Sequence, residues 1–172
     1  MNTLIRVAGL IPESIVDGPG IRFVVFAQGC RHNCPGCHNP ETHSFTGGHL
    51  VDINSILQQM RDNRLLDGIT LSGGEPFEQA AAFAELAKKA KTFGYNVMTY
   101  TGYTYECILD GMNERAGWAN LIKSTDILVD GKFDQARKSL LLPFRGSANQ
   151  RIIDVKESFR TNKIIILSFQ NS

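Results

Sequence analysis

The sequence has almost no excess of charge and no long hydrophobic run. Its 18 lysine and arginine residues are matched by 17 aspartate and glutamate residues, so the net charge of +1 gives no reason to expect a nucleic acid or an anionic membrane as partner. No apolar run approaches the roughly 18 residues that a membrane span needs. Because the N-terminal residues also lack the apolar core of a signal peptide, we expect a protein of the reducing cytoplasm.

Several kinds of catalytic machinery are missing as well. The sequence shows no Ser–His–Asp set and no pair of general acid and base, and the turn at residues 17–20 lacks the Lys-Ser/Thr pair of a phosphate-binding loop. Ordinary hydrolysis is therefore not indicated. No internal repeat, low-complexity segment or linker divides the 172 residues, which predicts a single domain over residues 1–172.

What the sequence does contain is an alternation of strand-like and helix-like segments. An amphipathic helix is indicated behind Asp52, whose side chain suits an N-cap, and two more helices over residues 78–93 and 104–113. Strands separated by such helices are typical of βαβ units, so we expect an α/β fold with a mostly parallel sheet. Irregular chain is expected over residues 43–50 and 134–150. The predicted strands cover residues 21–27, 68–72, 96–101 and 126–130, with two more at 152–155 and 163–167.

Distinctive motifs follow directly on the first four predicted strands. The carboxyl ends of parallel strands meet at one edge of a sheet, which is where ligands bind in such folds. We therefore expect these motifs to form one shared site. In chain order they are Cys30, Gly73–Gly74, Thr101–Gly102 and Asp130–Gly131–Lys132.

Three cysteines, Cys30, Cys34 and Cys37, form a C-x3-C-x2-C pattern close enough to converge on one metal centre. Three interpretations are open at this point: structural zinc completed by His38 or His43, a disulfide, and an iron–sulfur cluster. A cluster of the 4Fe–4S type usually takes four thiolates, so a triplet leaves one iron free to bind a substrate or cofactor.

Two of these motifs together resemble a known superfamily. The cysteine triplet is similar to the signature of radical S-adenosylmethionine enzymes, and residues 71–76 (LSGGEP) resemble their glycine-rich cofactor-binding stretch. Residues 17–22 (DGPGIR) and 37–40 (CHNP) resemble segments of the activating enzymes of glycyl-radical proteins. The resemblance covers residues 12–155. In so short a chain, three further stretches resemble the activases of anaerobic ribonucleoside-triphosphate reductases: residues 101–103, 127–134 and 144–150.

The resemblance implies a fold, two cofactors and a reaction. The implied fold is a single-domain, incomplete (β/α) barrel of the radical S-adenosylmethionine type. A 4Fe–4S cluster would reduce S-adenosylmethionine to methionine and a 5′-deoxyadenosyl radical, which takes a hydrogen atom from a glycine α-carbon of the partner. The implied partners are the large subunit of an anaerobic ribonucleoside-triphosphate reductase and a one-electron donor such as a flavodoxin. The resemblance also allows a homodimer.

The resemblance further implies roles for particular residues. The three cysteines would be the catalytic metal ligands, and the glycine pair would let the cofactor approach the backbone. Glu75 would compensate the positive charge of the ammonium or sulfonium group, while Asp130 and Lys132 would contact the cofactor or the incoming glycine segment. His32, which lies between two ligands, is interpreted as a loop residue. The expected cofactor-binding residues are Gly36, Cys37, His38, Ser72, Gly73, Gly74, Glu75, Asp130 and Lys132.

Two positions depart from the patterns of the resembling proteins. Thr99 stands near where some related activases carry an acidic residue at the cofactor site, and the second departure precedes the third cysteine. An aromatic residue commonly precedes the third cysteine in the superfamily and helps to hold adenine, whereas this chain has Gly36. Adenine contact is then expected from the main chain of residues 36–38, or from Tyr100 or Tyr103. The polar residues 145–151 are interpreted as a loop that contacts the reductase or orders near the site.

Other functions remain open from the sequence. An activase of a different glycyl-radical protein would share these motifs, and so would a small-molecule radical enzyme, although a full barrel takes about 250 residues. A non-catalytic zinc-binding interaction module would leave the glycine motif unexplained. An electron carrier would need a fourth thiolate. The remaining candidate for that ligand is Cys107, which we otherwise expect to be a half-buried apolar side chain.

Overall fold

Seven strands and five α-helices are found in the computed structural model, which describes residues 2–170. The strands are β1 (Leu4–Ser14), β2 (Arg22–Ala27), β3 (His49–Asp52), β4 (Gly68–Gly73), β5 (Asn96–Tyr100), β6 (Ile127–Asp130) and β7 (Arg151–Asp154). The helices are α1 (Ile53–Asp62), α2 (Ala80–Thr92), α3 (Tyr105–Gly111), α4 (Trp118–Ser124) and α5 (Val155–Thr161). All strands belong to one sheet in the order β3-β1-β2-β4-β5-β6-β7.

The sheet is parallel at its centre and antiparallel at its edges. Strands β2, β4, β5 and β6 run parallel and follow one another across the sheet in chain order. Strands β1 and β3 are antiparallel on one side, and β7 is antiparallel on the other. The predicted α/β fold with a parallel sheet is therefore confirmed for the four central strands, which are the ones that carry the motifs.

Amphipathic sequence accounts for the two longest helices. Asp52 caps α1 by accepting a 2.9 Å hydrogen bond from the Asn54 amide, as its position predicts. The apolar face of α2, including Phe83 and Leu86, is buried, and Gly94 follows the helix with a positive φ of 88°. No helix within residues 2–170 is long and apolar enough to cross a membrane.

The helices pack on one face of the sheet. Residues from all five helices join one hydrophobic core with alternate strand residues such as Phe23, Val25 and Leu71. The opposite face carries a smaller cluster, which Phe144 and the C-terminal residues Leu167 and Phe169 cover in part. The buried members of that smaller cluster are Met98, Ile127, Val129 and Ile152.

Four elements are not predicted by the sequence patterns, and each lacks a local signal. The register of β1 shifts between Val7 and Gly9 and again between Ile11 and Ser14, which breaks its alternation. Strand β3 has four residues at a sheet edge and lies partly in the span predicted to be irregular. Helix α4 begins after Gly117 without a side-chain cap, and α5 lies between the two predicted C-terminal strands and shares only Val155 with the first of them.

The two C-terminal strand predictions are only partly right. Strand β7 ends at Asp154, whose side chain accepts a 3.0 Å hydrogen bond from the Glu157 amide and so begins a helix where the strand was expected to continue. The strand predicted over residues 163–167 is wrong. That segment makes one isolated bridge, between Ile153 and Ile166, and otherwise has no regular structure.

A buried arginine organises the amino ends of the central strands. Arg22 is 1% exposed and donates to Thr70 Oγ1 at 2.7 Å, to the Ile69 carbonyl at 2.8 Å and to Asn96 Oδ1 at 2.9 Å. It also donates to the Pro19 carbonyl at 3.0 Å, which ties the segment before β2 to the sheet. Burial lowers the pKa of Arg22 to about 10, so the group is still charged at neutral pH.

Replacing Arg22 by methionine should lower the free energy of unfolding by about 3 kcal/mol, because several buried acceptors would lose a charged donor. Urea denaturation measures the change. Exposed Arg64 provides the matched control, since Arg64→Met should stay within about 0.5 kcal/mol of the wild type. Equal stability of the two variants would contradict the structural role of Arg22.

Candidate active site

A cleft of about 400 Å³ opens at the carboxyl ends of the central strands. That volume is within the range of small-molecule sites, roughly 300–1,000 Å³. The structure brings together there the motifs that follow β2, β4 and β5, together with Gly131 after β6. The predicted site residues that line the cleft are Cys30, Cys34, Cys37, His38, Ser72, Gly73 and Gly74.

The cysteines lie on a loop whose two ends are tied together. We call residues 28–43 the cysteine loop. The Gly29 amide donates to the Thr42 carbonyl at 2.7 Å, and the Cys30 amide donates to the His43 carbonyl at 3.2 Å. Within the loop, the Cys37 amide donates to the Cys34 carbonyl at 3.1 Å, which forms the turn that the Pro-Gly pair between them predicts. The three thiols are thereby held on one compact segment.

All three thiols are partly buried and face the same cleft. Burial raises the pKa of Cys30 to about 11, a hydrogen bond from the backbone of His32 opposes this, and the charge of nearby Glu75 adds to the increase. A metal that binds here must therefore displace a proton from Cys30 at neutral pH. Soft thiolates on one wall of a cleft are suited to iron.

Glu75 is the most constrained polar group of the site. It is fully buried, and its carboxylate accepts hydrogen bonds from the Phe77 amide at 3.0 Å, the Thr101 hydroxyl at 2.9 Å and the Gly102 amide at 2.8 Å. His32 Nε2 lies 2.6 Å from its second oxygen. Glu75 does not line the cleft. These hydrogen bonds give the carboxylate a structural role, and its contact with a cofactor cation stays a prediction.

His32 has a structural role in the site that the sequence does not predict. Its ring contacts Glu75 on one side and the Tyr103 ring on the other, with 4.5 Å between the ring centroids. A Cβ at Gly102 would lie 2.4 Å from the His32 ring, so glycine is needed there. His32 thus fastens the cysteine loop to the end of β5. The presence of a histidine inside the cysteine motif was the one available signal.

The glycine pair has a structural reason beyond cofactor approach. A Cβ at Gly73, whose φ is 89°, would lie 2.6 Å from the backbone of Phe26, and one at Gly74 would lie 2.6 Å from the Gly29 carbonyl oxygen. The Glu75 amide donates to that same Gly29 carbonyl at 2.9 Å. The pair therefore lets the end of β4 pack directly against the start of the cysteine loop.

Besides Glu75, three more of the predicted contact residues do not line the cleft. Asp130 is 1% exposed and turns toward α3 and β7, where it accepts hydrogen bonds from the Tyr105 amide at 2.7 Å and from Arg151 Nε at 3.0 Å. Lys132 is exposed. Gly36 is exposed at the tip of the cysteine loop, where the Gln135 side chain approaches it.

The two tyrosines considered for adenine differ in position. Tyr100 lines the cleft and donates to the Phe144 carbonyl at 2.7 Å, and burial raises its pKa well above the usual range. Tyr103 lies outside the cleft and donates to Glu78 at 2.9 Å. Only Tyr100 of the two can contact a ligand in the cleft.

Cys107 is exposed on α3 and does not line the cleft. The expectation of a half-buried side chain is therefore wrong, because this position of α3 faces outward. Its backbone amide is held by the capping Thr104 side chain at 3.2 Å. The structure does not bring Cys107 to the other three cysteines as a fourth ligand.

The second wall of the cleft comes from residues that lie mostly in the span predicted to be irregular, and part of that span was predicted to order near the site. We call residues 131–150 the rim segment. Ser147 within it is fully buried, and its hydroxyl accepts a 3.0 Å hydrogen bond from the Asp134 amide. The His38 ring packs on Phe133 with centroids 5.1 Å apart, which joins the rim segment to the cysteine loop. Its lining residues are Gly131, Phe133, Ser139, Leu140, Leu142, Phe144, Arg145, Gly146 and Gln150.

Comparison with known proteins agrees with this geometry. The chain matches the family model "4Fe-4S single cluster domain" over residues 16–153 and belongs to that family. It is 36% identical to the anaerobic ribonucleoside-triphosphate reductase-activating protein of Vibrio cholerae over 149 residues, which is 82% of this chain and 92% of that protein. The chain belongs to the family of these reductase-activating proteins, which confirms the resemblance seen in the sequence.

Two further relatives of the same name extend the comparison. The protein of Escherichia coli K12 is 35% identical, with 81% of this chain and 92% of the relative covered. That of enterobacteria phage T4 is 31% identical, with 83% and 90% covered. The chain therefore spans nearly the whole length of these relatives.

Replacing Glu75 by glutamine should lower the free energy of unfolding by about 2–3 kcal/mol. The NH2 group of the new amide is a donor, and it would face hydrogen-bond donors that the carboxylate now accepts from. Hydrogen exchange should also become faster at the amides of the cysteine loop. The control is Glu85→Gln, at a carboxylate on the outer surface of α2, which should leave exchange in that loop unchanged. Wild-type exchange in Glu75→Gln would contradict the role of Glu75 as an anchor.

Proposed function

We propose that this chain activates an anaerobic ribonucleoside-triphosphate reductase by generating a radical on a glycine of its large subunit, with S-adenosylmethionine as the source of the radical. The observation that carries the proposal is the meeting of the three cysteines and the Ser72–Gly74 turn in one cleft. The relatives bear the name of activating proteins for this reductase. A shared cleft is what a reaction between a cluster and a second cofactor needs.

The residues present fit a 4Fe–4S cluster with three protein ligands. Cys30, Cys34 and Cys37 supply three thiols on one wall of the cleft, and Cys107 lies outside it. When bound, the cluster would supply the electron that cleaves S-adenosylmethionine, and the resulting radical would remove a hydrogen atom from the glycine α-carbon. The chain itself holds the ligands in place through Glu75 and His32 and shields them from water with the rim segment.

We infer that S-adenosylmethionine lies between the cysteine loop and the rim segment. Cys37, His38 and the Ser72–Gly74 turn are the proposed contacts, because they line the cleft next to the thiols. Tyr100 is the proposed aromatic contact, in place of the aromatic residue that Gly36 replaces. Of the other expected contacts, Glu75 and Asp130 act as positioning residues, since both carboxylates are buried and satisfied by protein donors.

We further propose that the sheet is an incomplete (β/α) barrel of the radical S-adenosylmethionine type. Strands β2, β4, β5 and β6 follow one another in chain order without a reversal, which differs from a doubly wound sheet. All five helices contribute to the core on one face. The cleft at the carboxyl ends of the strands is the position of active sites in barrels. A partial barrel leaves an open side through which a protein segment can reach the cleft.

The proposal also names an electron donor and a cellular compartment. A one-electron donor such as a flavodoxin would reduce the cluster, and a reducing cytoplasm would keep the three thiols available for iron. The oligomeric state is measured in the same preparation by sedimentation, with a homodimer as the expected alternative to a monomer.

The first test is anaerobic reconstitution with iron and sulfide, reduction by dithionite, and EPR with and without S-adenosylmethionine. We expect a reduced-cluster signal that changes when S-adenosylmethionine is added, release of methionine and 5′-deoxyadenosine, and a radical on the added reductase. Cys34→Ala should lose the cluster signal and the radical, whereas Cys107→Ala should keep both. A colourless protein that binds one zinc ion and ignores S-adenosylmethionine would refute the proposal.

The open side of the cleft carries exposed apolar side chains that suit a docking protein segment. Val16 and Leu140 both line the cleft and are 74% and 88% exposed. Exposed apolar groups at the mouth of a site for a protein substrate are typical of an interaction surface. We propose that the glycine-bearing segment of the reductase passes between them.

Aspartate at either position should raise the KM for the reductase roughly tenfold, because it places a charge where the interface excludes water. Binding of S-adenosylmethionine, measured by calorimetry, should not change. Leu65→Asp is the control, since Leu65 is 64% exposed but does not line the cleft. Equal KM values for all three variants would mean that the reductase enters elsewhere.

A further inference from the structure

An arginine on the rim segment faces the cleft without an acidic partner. Among the described residues that line the cleft, Arg145 is the one lysine or arginine. It takes part in none of the ion pairs found within residues 2–170. One Nη1 hydrogen is donated to the Gln150 carbonyl at 3.0 Å, while the Nε–H group is buried with no acceptor in the described chain.

The backbone on both sides of Arg145 is fixed. Tyr100 holds the preceding carbonyl, that of Phe144, at 2.7 Å, and Phe144 has a positive φ of 58°. The amide of Gly146 donates to Gln150 Oε1 at 2.9 Å. A Cβ at Gly146 would lie 3.0 Å from the Phe133 ring, so the chain passes close to that ring. The guanidinium is therefore carried by a rigid turn, and little ordering is needed when a ligand binds.

The chemistry of the free donors indicates what the ligand offers. A buried N–H group without an acceptor costs about 1–3 kcal/mol, so a ligand that supplies the acceptor gains that energy. The Nε and Nη2 edge of a guanidinium presents two parallel donors that match the two oxygens of a carboxylate. Both groups lack a protein acceptor within the described residues. A neutral acceptor would use one donor only and leave the positive charge without a counterion.

We propose that Arg145 is a carboxylate-binding residue of the cleft. The inference rests on the proposed function, which supplies two carboxylate sources: the methionine part of S-adenosylmethionine and an acidic group of the reductase segment. The cofactor is the favoured source, because Phe133 links the turn that carries Arg145 to His38, next to the ligand Cys37. The cysteine loop and the rim segment meet at this contact, so a ligand bound beside the cysteines lies between the thiols and the turn that carries Arg145.

The test compares two ligands that differ in the carboxylate alone. Binding of S-adenosylmethionine and of decarboxylated S-adenosylmethionine is measured by anaerobic calorimetry on the oxidised, cluster-loaded protein, where no turnover occurs. Arg145→Gln should weaken binding of S-adenosylmethionine roughly 10- to 100-fold and leave binding of the decarboxylated ligand unchanged. The affinity of Arg145→Lys for S-adenosylmethionine should lie between those of the wild type and Arg145→Gln, since lysine keeps the charge but loses the paired donors.

Arg137→Gln is the matched control, because it removes the same charge from the same segment. Arg137 is exposed, pairs with Asp134 at 3.1 Å and does not line the cleft. It should bind both ligands like the wild type. Thermal unfolding of the three variants checks that the rim segment stays folded.

The remaining outcomes separate the two sources and the two proposals. If Arg145→Gln binds S-adenosylmethionine normally but raises the KM for the reductase with kcat unchanged, the carboxylate belongs to the reductase and the inference holds. Equal loss of both ligands, or no change in binding and KM, overturns the inference. A wild-type protein that binds neither ligand refutes the proposed function itself, which is a different result from failure of the Arg145 variant alone.

Discussion

The site depends on one buried carboxylate, that of Glu75. Burying a charge without partners is costly, but this group accepts hydrogen bonds from the ends of β4 and β5 and lies against His32 of the cysteine loop. A carboxylate only accepts, so each donor must come from a defined place and the three segments can meet in one way. The positions of the thiols follow from this contact, although Glu75 itself does not line the cleft.

The parts that sequence reasoning could predict are those with a local signal. The four central strands are apolar, and glycine, cysteine or aspartate lies at or shortly after the carboxyl end of each. The rule that parallel strands share a carboxyl edge was enough to place the cysteines and the Gly73–Gly74 pair together. The N-cap at Asp52 was also visible. Such features depend on neighbouring residues in the chain, which is why they can be predicted without knowledge of tertiary contacts. The edge strands carry no such signal, because bulges break the pattern of β1 and β3 is very short.

What could not be predicted is the direction of side chains at the strand ends. Glu75 and Asp130 lie at the ends of strands that border the cleft, yet both side chains turn into the protein. Glu75 accepts a hydrogen bond there from the Gly102 amide, and Asp130 accepts from the Tyr105 amide and from Arg151. Those donors are distant in sequence, so the hydrophobic pattern of the chain does not predict these contacts. The rim segment was predicted as irregular chain that orders near the site, but its internal contacts were not predicted: it is ordered by hydrogen bonds among its own polar side chains and backbone, and not by an apolar face.

Two of the buried charged groups, Arg22 and Glu75, have a joint consequence for the cleft. Arg22 lies at the amino ends of the strands and Glu75 at the carboxyl ends, and each is satisfied largely by neutral groups instead of an opposite charge. Arg22 and its acceptor Thr70 hold the segment that carries Asp17 into the cleft. Glu75 fixes the cysteine loop, which carries the thiols, and Tyr100 fixes the turn of the rim segment that carries Arg145. The charged groups of Arg22 and Glu75 form their hydrogen bonds with other protein groups and not inside the cleft. The groups that line the cleft therefore stay free to bind a ligand, and their positions are set before it binds.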